Sequence, residues 1–243
     1  MRHAIILAAG KGTRMHSELP KCAHLVLGKP MINHVVDACI DAGIEDIVVV
    51  VGYKKEEILA LLDKYSNVRF AIQDEQLGTG HAVKCAKHLL KNETGSTVIL
   101  PGDMPLIGSE NIKELLKQQE NNHNAMTILT ALFDNPFSYG RIVRNMENNV
   151  VGIVEEKEAT DEQKLIKEVN TGLYVVDNKL LFESLELVNN NNNKHEYYLT
   201  DIVGILSNNY KVGSKISVYD YRLMGINDID TLNKVEYLAQ RAQ

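Results

Sequence analysis

The sequence predicts an α/β protein with a mixed, mostly parallel sheet and helices on both of its faces. In the first half of the chain, short apolar runs rich in Ile and Val alternate four times with segments of helical spacing. The run at residues 46–51 is β-branched from its second residue on, as in strands that are covered on both faces. With 243 residues, 44% of them hydrophobic, the chain is long enough for one such domain with a sizeable core.

The first predicted strand covers residues 3–7 and opens into a glycine-containing loop at residues 10–14, G-K-G-T-R. Two glycines let the backbone curl close to a ligand, and successive exposed N–H groups in such a turn attract anions. The lysine and arginine of the loop add positive charge, and Lys21 follows. The loop therefore favours phosphate binding, while an ordinary strand-to-helix turn remains the alternative. The P-loop spacing is absent, and Met15 stands where the dinucleotide fingerprint requires a third glycine.

The elements after this loop are predicted from hydrophobic periodicity. Residues 31–42 form a helix, because their apolar side chains recur on one face and Gly43 follows as a stop signal. Ser109 is predicted as the N-cap of a helix that runs to residue 119, with an acidic residue in its first turn. The remaining predictions of the first half are strands at residues 46–51, 68–72 and 97–100 and helices at residues 54–65 and 79–90.

From about residue 125 the rhythm changes to strands. Strands are predicted at residues 125–132 and 169–176, with a two-stranded ribbon at residues 140–144 and 150–154 and a turn at 147–149. We expect this region to form a lid or lobe that is continuous with the sheet. The asparagine run at residues 189–193 is interpreted as a mobile surface loop. The last predicted elements are a helix at residues 196–206, a strand at 216–219 and a helix from 228 to the end.

Composition argues against several classes of function. The net charge is −6 and no long basic run offsets it, so nucleic acid is not an expected partner. No apolar run is long enough to span a bilayer, and the chain begins almost at once on a strand, so we expect neither a membrane anchor nor a signal peptide. The three widely spaced cysteines suggest a reducing compartment without disulfides or zinc. We expect a cytoplasmic protein in which Cys22 is a packing residue, with a reactive thiol as the alternative.

Candidate functional residues follow the ends of several predicted strands. In a parallel sheet wound with helices, ligands bind beyond the carboxyl ends of the strands, which places residues 10–14, Gln73 and Asp103 on one rim. Carboxylate oxygen is a ligand that Mg²⁺ prefers, and this ion needs only one or two protein oxygens because it keeps several waters. Asp103 is therefore a candidate metal ligand, although simple turn chemistry explains an aspartate after glycine almost as well.

Several short motifs connect this rim to a known family. The run L-A-A-G-K-G-T-R-M from Leu7, followed by L-P-K at residues 19–21, resembles the signature of nucleotide-sugar pyrophosphorylases. These are nucleotidyltransferases with a Rossmann-like, nucleotide-diphospho-sugar transferase fold. The motifs Q-x-x-Q-L-G-T-G-H-A from Gln73, N-T-G from Asn170 and E-Y-Y-L-T-D from Glu196 follow in order. Together they resemble the uridyltransferase half of the bacterial bifunctional enzymes that make UDP-N-acetylglucosamine, over essentially the whole chain.

The resemblance implies transfer of uridylyl from UTP to N-acetylglucosamine 1-phosphate, which yields UDP-N-acetylglucosamine and pyrophosphate, with Mg²⁺ as cofactor. The main physical problem of this reaction is repulsion between two anions, which cations and backbone N–H groups relieve. Arg14 and Lys21 would neutralise the triphosphate and the developing charge, and Asp103 and Asn227 would bind Mg²⁺. The resemblance assigns the uridine to Leu7, Ala8, Ala9, Gly10, Gln73, Gly78 and Thr79, further substrate contacts to Lys21, Pro101, Gly102, Asp103 and Asn227, and the sugar to Gly140, Glu155 and Asn170.

Some of these assignments depend on the resemblance more than on the residues themselves. Without it, Gln73 would be interpreted as a solvated loop residue, Glu155 as part of a charged surface run and Asn227 as an N-cap. Pro101 departs from the family, which often has an aromatic or small residue before Gly-Asp, and its fixed φ bears on the shape of the loop. No covalent nucleophile is expected, because the incoming phosphate is itself the nucleophile.

The resemblance also sets expectations for the whole chain. Residues 1–227 would form the nucleotidyltransferase domain, and residues 228–243 the helix that leads, in the bifunctional enzymes, to a β-helix with acetyltransferase activity. Because no repeats of that β-helix are in this sequence, we expect no acetyltransferase activity and a monomer. Two alternatives stay open: a related nucleotidyltransferase with another base or sugar, and a non-catalytic nucleotide-sugar sensor. Retention of Arg14, Lys21, Asp103 and Asn227 together favours the enzyme.

Overall fold

The structure, a computed structural model, describes residues 1–136, 138–217 and 221–242. The described residues form one mixed sheet of nine strands and a separate two-stranded hairpin, β2 with β3. The strands are β1 (Arg2–Ala8), β2 (Leu25–Val26), β3 (Lys29–Pro30), β4 (Asp46–Val51), β5 (Val68–Ile72), β6 (Ser96–Pro101), β7 (Met126–Leu132), β8 (Arg141–Arg144), β9 (Val150–Val154), β10 (Glu168–Asp177) and β11 (Val212–Ser217).

The first half of the chain forms the parallel part of the sheet. β1 lies between β4 and β6, and β5 pairs with the outer edge of β4, all in parallel. The register joins Ala8 to Val51 and Leu7 to Pro101, so the carboxyl ends of these strands meet at one edge. The loops that follow β1 and β5 therefore begin at the same edge, as the sequence predicts.

The second half of the chain adds an antiparallel strand to this frame. β10 inserts between β6 and β7 and runs antiparallel to both, while β7 pairs in parallel with β11. The paired strands β8 and β9 branch from β10 through one register pair, Val169 with Arg141. These pairings confirm the mixed, mostly parallel sheet and the two-stranded ribbon that continues from it.

Helices cover both faces of the sheet, as predicted. They are α1 (Met31–Asp41), α2 (Lys55–Leu62), α3 (Thr79–Cys85), α4 (Lys87–Leu90), α5 (Gly108–Asn122), α6 (Asp161–Lys164), α7 (Asn178–Leu185), α8 (Asp201–Ser207) and α9 (Ile229–Arg241). Alternate side chains of β1 enter two cores, Ala4 and Ile6 on one face and Ile5 on the other. Helices α1, α2 and α5 cover the first core, and α3, α7 and α8 cover the second. Each fully buried large aliphatic side chain contributes about 1.5–3 kcal/mol, so both helical layers stabilise the sheet.

Several predicted elements differ in the structure. The helix predicted at residues 79–90 is two helices, α3 and α4, because the backbone hydrogen bonds tighten around Ala86, whose N–H donates to Val83 and whose carbonyl oxygen accepts from Leu89. Ser109 does not cap α5, which begins at Gly108 and has no side-chain cap. The helix predicted at residues 196–206 begins only at Asp201, because the residues before it hydrogen-bond to another loop.

The sequence-based prediction misplaced one further strand and missed two helices. β11 begins at Val212, earlier than the strand predicted at residues 216–219, because glycine and serine obscure its pattern. Residues 218–219 lie outside the described part of the chain. Helices α6 and α7 were not predicted, although Thr160 caps α6 in a capping box. The asparagine run lies at the surface, where the backbone N–H of Asn193 donates to Glu158 at 3.0 Å.

The last helix, α9, packs beside the loop that follows β1. Its Val235 joins Met15 and Ile226 in a third, smaller core. Its Glu236 accepts a hydrogen bond of 2.7 Å from the backbone N–H of Leu27. These contacts hold the end of the described chain against the edge where the loops of the parallel strands begin. Of the helices that the structure describes, none combines the length and the apolar character needed to cross a membrane.

Candidate functional site

The glycine loop after β1 lies directly against Lys21. The loop turns through a short 3-10 segment, Thr13–Met15, and Gly12 before it has a left-handed backbone with φ of 67°. A Cβ atom on Gly12 would lie 2.6 Å from Cβ of Lys21, closer than side chains can approach. Two features therefore require glycine at this position: the positive φ and the close packing against Lys21. Because Gly12 has no side chain, Lys21 can pack directly against the loop.

Four side chains form a polar cluster, which we define as Arg14, Lys21, Asp103 and Asn227. Nζ of Lys21 donates to a carboxylate oxygen of Asp103 and, at 3.0 Å, to Oδ1 of Asn227. The same oxygen of Asn227 accepts from Nη2 of Arg14 at 3.1 Å. The side chains of Lys21 and Asp103 are 18% and 12% exposed, so water screens their charges only in part. The polar cluster thus joins the predicted catalytic cations to the predicted metal ligands.

Backbone contacts hold the two oxygen-bearing side chains of the polar cluster together. The backbone N–H of Ile226 donates to the carbonyl oxygen of Asp103 at 2.9 Å, which brings Asn227 to the aspartate. A Cβ atom on Gly225 would lie 3.6 Å from Oδ1 of Asp103 and 3.7 Å from Nδ2 of Asn227. Gly225 therefore leaves space beside both side chains.

Of the atoms nearest to this space, the carboxylate oxygen of Asp103 is the one that could ligate a cation, because Asn227 turns its Nδ2 toward it. Among the residues that the structure describes, no group of three His, Cys, Asp or Glu side chains could hold a metal ion. A cation beside Asp103 would therefore rely on one or two protein oxygens and keep several waters, which is how Mg²⁺ usually binds. The carboxylate of Asp103 and the amide oxygen of Asn227 are donors of that kind.

A cavity of about 300 Å³ opens beside the polar cluster. This volume lies at the lower end of the range for small-molecule sites. Most of the predicted substrate-binding residues line it: Leu7, Ala8, Ala9, Gly10, Lys21, Gln73, Gly78, Thr79, Pro101 and Asp103. Because Lys21 and Asp103 belong both to the cavity and to the polar cluster, a molecule in the cavity would contact the cluster.

The loop between β5 and α3 is fixed by residues 196–199, which we call the crossing segment. The backbone N–H of Gly80 donates to the carbonyl oxygen of Tyr197 at 2.7 Å. Oγ1 of Thr79 accepts from the backbone N–H of Leu199 at 3.0 Å. These hydrogen bonds keep the crossing segment out of helix α8 and hold one wall of the cavity in place.

Gly78 offers a direct test of the crossing segment. Its φ is 112°, and a Cβ atom there would lie 2.5 Å from the carbonyl oxygen of Tyr197. We expect Gly78→Ala to displace the crossing segment and to lower the free energy of unfolding by about 1–3 kcal/mol, measured by denaturant titration. Gly43→Ala is the matched control, because Gly43 has φ of 79° but no atom within 4 Å of an added Cβ. Equal losses in both variants would mean that the backbone angle, and not the crossing segment, sets the requirement.

The three residues predicted to contact the sugar come together as a second group, which we define as Gly140, Glu155 and Asn170. A Cβ atom on Gly140 would lie 3.7 Å from both Cβ of Asn170 and Oε1 of Glu155. None of its three members lines the cavity, and the link to the lining is Gly172, whose N–H donates to Oδ1 of Asn170 and whose added Cβ atom would lie 3.6 Å from the ring of Pro101. The structure therefore brings the three predicted sugar residues together beside the lining of the cavity, and not into it.

Hydrogen bonds fix the side chains of the second group. Oε1 of Glu155 accepts from Oγ1 of Thr200 at 3.1 Å. Nδ2 of Asn170 donates to the hydroxyl oxygen of Tyr174 at 2.6 Å, and Oδ1 of Asn170 accepts from the backbone N–H of Gly172 at 3.0 Å. Burial raises the pKa of the Tyr174 hydroxyl, so that group stays protonated. The amide of Asn170 is therefore oriented before any ligand binds.

Cys22 is a packing residue, as predicted. Its thiol is buried, and Sγ lies 3.0 Å from the position that a Cβ atom would take on Gly102. Burial, with a smaller effect of the negative charge on Asp103, raises the pKa of the thiol to about 12. The thiol stays protonated at neutral pH and is not a nucleophile. Gly102 itself lies outside the lining, where its N–H donates to the carbonyl oxygen of Leu7 at 2.9 Å.

Sequence reasoning missed several residues of the site. Gln76, Ala82 and Glu196 line the cavity, and Thr200 holds the carboxylate of the second group. These residues lie inside the motifs on which the family resemblance rests, so their positions in those motifs could have identified them. Gly225 gave no such signal, because its role depends on a tertiary contact that no local pattern reveals.

Comparisons with known proteins agree with the motifs. The nucleotidyl transferase family matches residues 3–221 of this chain. The Bifunctional protein GlmU of Streptococcus sanguinis is 47% identical over 243 residues, covering 98% of this chain and 52% of the relative. The Bifunctional protein GlmU of Acholeplasma laidlawii is 45% identical over 234 residues, covering 96% of this chain and 50% of the relative. The chain thus spans about half the length of the curated relatives it matches, and the resemblance stated from the motifs is confirmed.

Solved structures share the fold at low sequence identity. A UDP-glucose pyrophosphorylase complexed with UDP-glucose aligns with a TM-score of 0.80 at 17% identity, covering 100% of both chains. A Bacillus anthracis protein assigned as a glucose-1-phosphate thymidylyltransferase aligns with a TM-score of 0.79 at 20% identity, covering 99% of this chain and 96% of that one. The predicted nucleotidyltransferase fold is therefore confirmed. Since the family match spans nearly the whole described chain, this chain belongs to the nucleotidyl transferase family.

Proposed function

We propose that this chain transfers uridylyl from UTP to N-acetylglucosamine 1-phosphate, giving UDP-N-acetylglucosamine and pyrophosphate. The observation that carries the proposal is the polar cluster, which joins two cations to two oxygen-bearing side chains beside a cavity of about 300 Å³. Similarity to bifunctional GlmU proteins and the resemblance of the motifs to uridyltransferases support the choice of nucleotide and sugar.

The reaction joins two anions, so negative charge dominates its barrier. The sugar phosphate oxygen attacks the α-phosphorus of UTP, and the bond from that phosphorus to the pyrophosphate oxygen breaks. Lys21 and Arg14 would stabilise the charge that develops on the phosphoryl oxygens and on the leaving pyrophosphate. Lys21 lines the cavity, whereas Arg14 is exposed and lies within hydrogen-bond distance of Asn227. The two cations would therefore act on different parts of the triphosphate.

The nucleotide would lie between the glycine loop and Gln73. A glutamine amide both donates and accepts hydrogen bonds, so it can pair with the edge of a pyrimidine. Gln73 is 3% exposed, which would shield a hydrogen bond to the base from water. Leu7, Ala8, Ala9 and Gly10 would face the nucleotide from the other wall of the cavity.

The sugar would contact the second group. The carboxylate of Glu155 and the amide of Asn170 offer hydrogen bonds to sugar hydroxyls and to the acetamide. Gly140 lies beside both residues, because a Cβ atom on it would be 3.7 Å from Oε1 of Glu155 and 3.7 Å from Cβ of Asn170. A side chain at Gly140 would meet Cγ2 of Ile153 at 2.8 Å, so the glycine lets the backbone lie close to the two side chains that would bind the sugar.

Asp103 and Asn227 would hold the divalent cation, which we take to be Mg²⁺. The chemistry of their oxygen atoms suits such an ion, and the amide oxygen of Asn227, which accepts from Lys21 and Arg14, would have to exchange these hydrogen bonds for the ion. When bound, the ion supplies positive charge to the phosphate oxygens of the nucleotide. Nζ of Lys21 hydrogen-bonds to both of these side chains in the free protein, so the lysine and the ion share the same two partners.

Substrate choice tests the proposal most directly. We expect turnover of N-acetylglucosamine 1-phosphate to exceed that of glucose 1-phosphate by on the order of a hundredfold, because the analogue would leave polar groups of the second group unpaired. The measurement is kcat/KM for each sugar phosphate with UTP, CTP and dTTP, followed by pyrophosphate release. Equal turnover of the two sugars would contradict the sugar assignment. Tight UTP binding without pyrophosphate release would instead indicate a nucleotide-sugar sensor.

A further inference from the structure

The amide of Gln73 is held in one orientation by two neighbouring acceptors. The side chain is buried and lines the cavity. Its Nε2 lies 3.1 Å from the carbonyl oxygen of Gly78 and 3.1 Å from Nδ1 of His81. A carbonyl oxygen only accepts hydrogen bonds, so the amide atom that faces Gly78 must be the NH₂ group. One amide hydrogen therefore goes to Gly78, and the other is left for His81.

This geometry also fixes the tautomer of His81. Nδ1 must accept the second amide hydrogen, so it carries no proton, and the neutral ring is protonated on Nε2. Both hydrogens of the Gln73 amide are then used inside the protein. In the described ranges, no hydrogen bond uses Oε1 of Gln73. The oxygen is thus the amide atom with free hydrogen-bonding capacity in a side chain that lines the cavity.

We propose that His81 is a positioning residue for base selection, because it holds the Gln73 amide so that the cavity receives an acceptor and not a donor. This inference rests on the proposed function, in which the base of UTP lies against Gln73. Uracil carries a hydrogen on N3 of its pairing edge, whereas N3 of cytosine is an unprotonated acceptor. An amide held with Oε1 available accepts from uracil N3–H and opposes the bare N3 of cytosine.

His81 adds to the selection because Gly78 alone holds the amide less firmly. Rotating the amide by half a turn would place Oε1 against the carbonyl oxygen of Gly78 and against Nδ1 of His81, and it would break both hydrogen bonds as long as the ring keeps its proton on Nε2. With an apolar residue in place of His81, the same rotation breaks only the hydrogen bond to Gly78. The contribution of His81 is therefore that of one hydrogen bond, which corresponds to about a three- to tenfold change in preference.

Two substitutions at His81 separate the hydrogen bond from packing. His81→Asn keeps an acceptor, because Oδ1 of asparagine takes the place of Nδ1, and His81→Leu removes the acceptor while keeping an apolar side chain of moderate size. Binding of UTP and of CTP to the whole chain is measured by calorimetry for the wild type and both variants. We expect the wild type and His81→Asn to prefer UTP by the same factor. In His81→Leu this preference should fall about three- to tenfold, with kcat at saturating UTP unchanged.

A second measurement needs no nucleotide. The side-chain amide protons of Gln73, assigned in NMR spectra by comparison with Gln73→Glu, report whether the NH₂ group is hydrogen-bonded. We expect the same two shifts in the wild type and in His81→Asn, and an upfield shift of one proton in His81→Leu. Thermal unfolding of all three proteins shows whether each variant is folded.

The outcomes distinguish this inference from the proposed function. A loss of UTP preference in His81→Leu that His81→Asn restores supports the positioning role. Full preference for UTP and unchanged amide shifts in His81→Leu would overturn the role of His81 and leave the proposed function standing. Equal losses in both variants would assign the effect to packing and overturn the inference as well. If the wild type bound UTP and CTP equally, the base assigned in the proposed function would fail, and the role of His81 with it.

Discussion

Lys21→Ala is expected to reduce turnover by about a hundredfold to a thousandfold. The loss of one preorganised charge-stabilising donor costs about 3–4 kcal/mol of transition-state stabilisation. The substitution also leaves the carboxylate of Asp103, 12% exposed, without its cationic partner. Because the lysine acts mainly on charge that develops during the reaction, kcat should fall much more than the affinity for UDP-N-acetylglucosamine. Steady-state pyrophosphate release and equilibrium binding of that product measure the two effects separately. Arg14→Ala should show the same pattern.

Lys29→Ala is the matched control for this prediction. Lys29 is also a partly exposed lysine paired with an aspartate, Asp37, but it lies outside the polar cluster. We expect its loss to leave turnover close to the wild-type value, since exposed ion pairs contribute little to stability. If Lys21→Ala weakened product binding as much as it lowered kcat, the lysine would act by uniform binding and not in the transition state.

Asp103→Ala is expected to raise the Mg²⁺ concentration for half-maximal rate and to lower the maximal rate. Residues that only support a metal ligand already change metal affinity by about 10- to 100-fold, so loss of an anionic ligand should cost at least that much. Asn227→Ala should have the same effect more mildly, because it removes a neutral oxygen donor. Titration of the rate with Mg²⁺, and of Mn²⁺ binding by electron paramagnetic resonance, would measure activity and metal affinity independently.

Asp37→Ala provides the control for the metal site. Asp37 pairs with Lys29 as Asp103 pairs with Lys21, but its other carboxylate oxygen accepts from the hydroxyl of Tyr65 and not from a member of the polar cluster. Its loss should leave both the metal dependence and Mn²⁺ binding unchanged. Wild-type rate and wild-type metal dependence in Asp103→Ala would show that the assigned metal site is wrong.

The parallel half of the fold was predictable because its strands are buried on both faces. The run in β4 is apolar from Ile47 to Val51, and such runs, separated by helical periodicity, leave few alternatives to a parallel sheet. The direction of β10 was not predictable, since an apolar pattern carries no information about which neighbour a strand joins. Helical spacing at residues 196–206 was misleading for a related reason. The hydrogen bonds of Tyr197 are made to a loop far away in the sequence, and these tertiary contacts override the local pattern.

The candidate site was predictable to different degrees on its two sides. The rule for ligands of parallel sheets placed the glycine loop, Gln73 and Asp103 together from the sequence alone. Asn227 and the second group came only from the family resemblance. Asn227 reaches Asp103 through the backbone contact of Ile226, and Glu155 is oriented by Thr200, so each depends on tertiary structure. Single-sequence patterns describe periodicity and turns, and they do not describe such long-range contacts.

The polar cluster has a consequence for the order in which its residues come together during synthesis. Arg14 and Lys21 leave the ribosome first and Asp103 follows at the end of the parallel half, but Asn227 emerges only after the strands of the second half. The parallel strands can pair before that point, because amino-terminal segments generally fold first. A nascent chain that has reached β6 would hold Lys21 and Asp103 as a mutually neutralising ion pair without the amide between them. Because Asn227 hydrogen-bonds to both Lys21 and Arg14, the complete polar cluster would form only after the segment that carries Asn227 has docked.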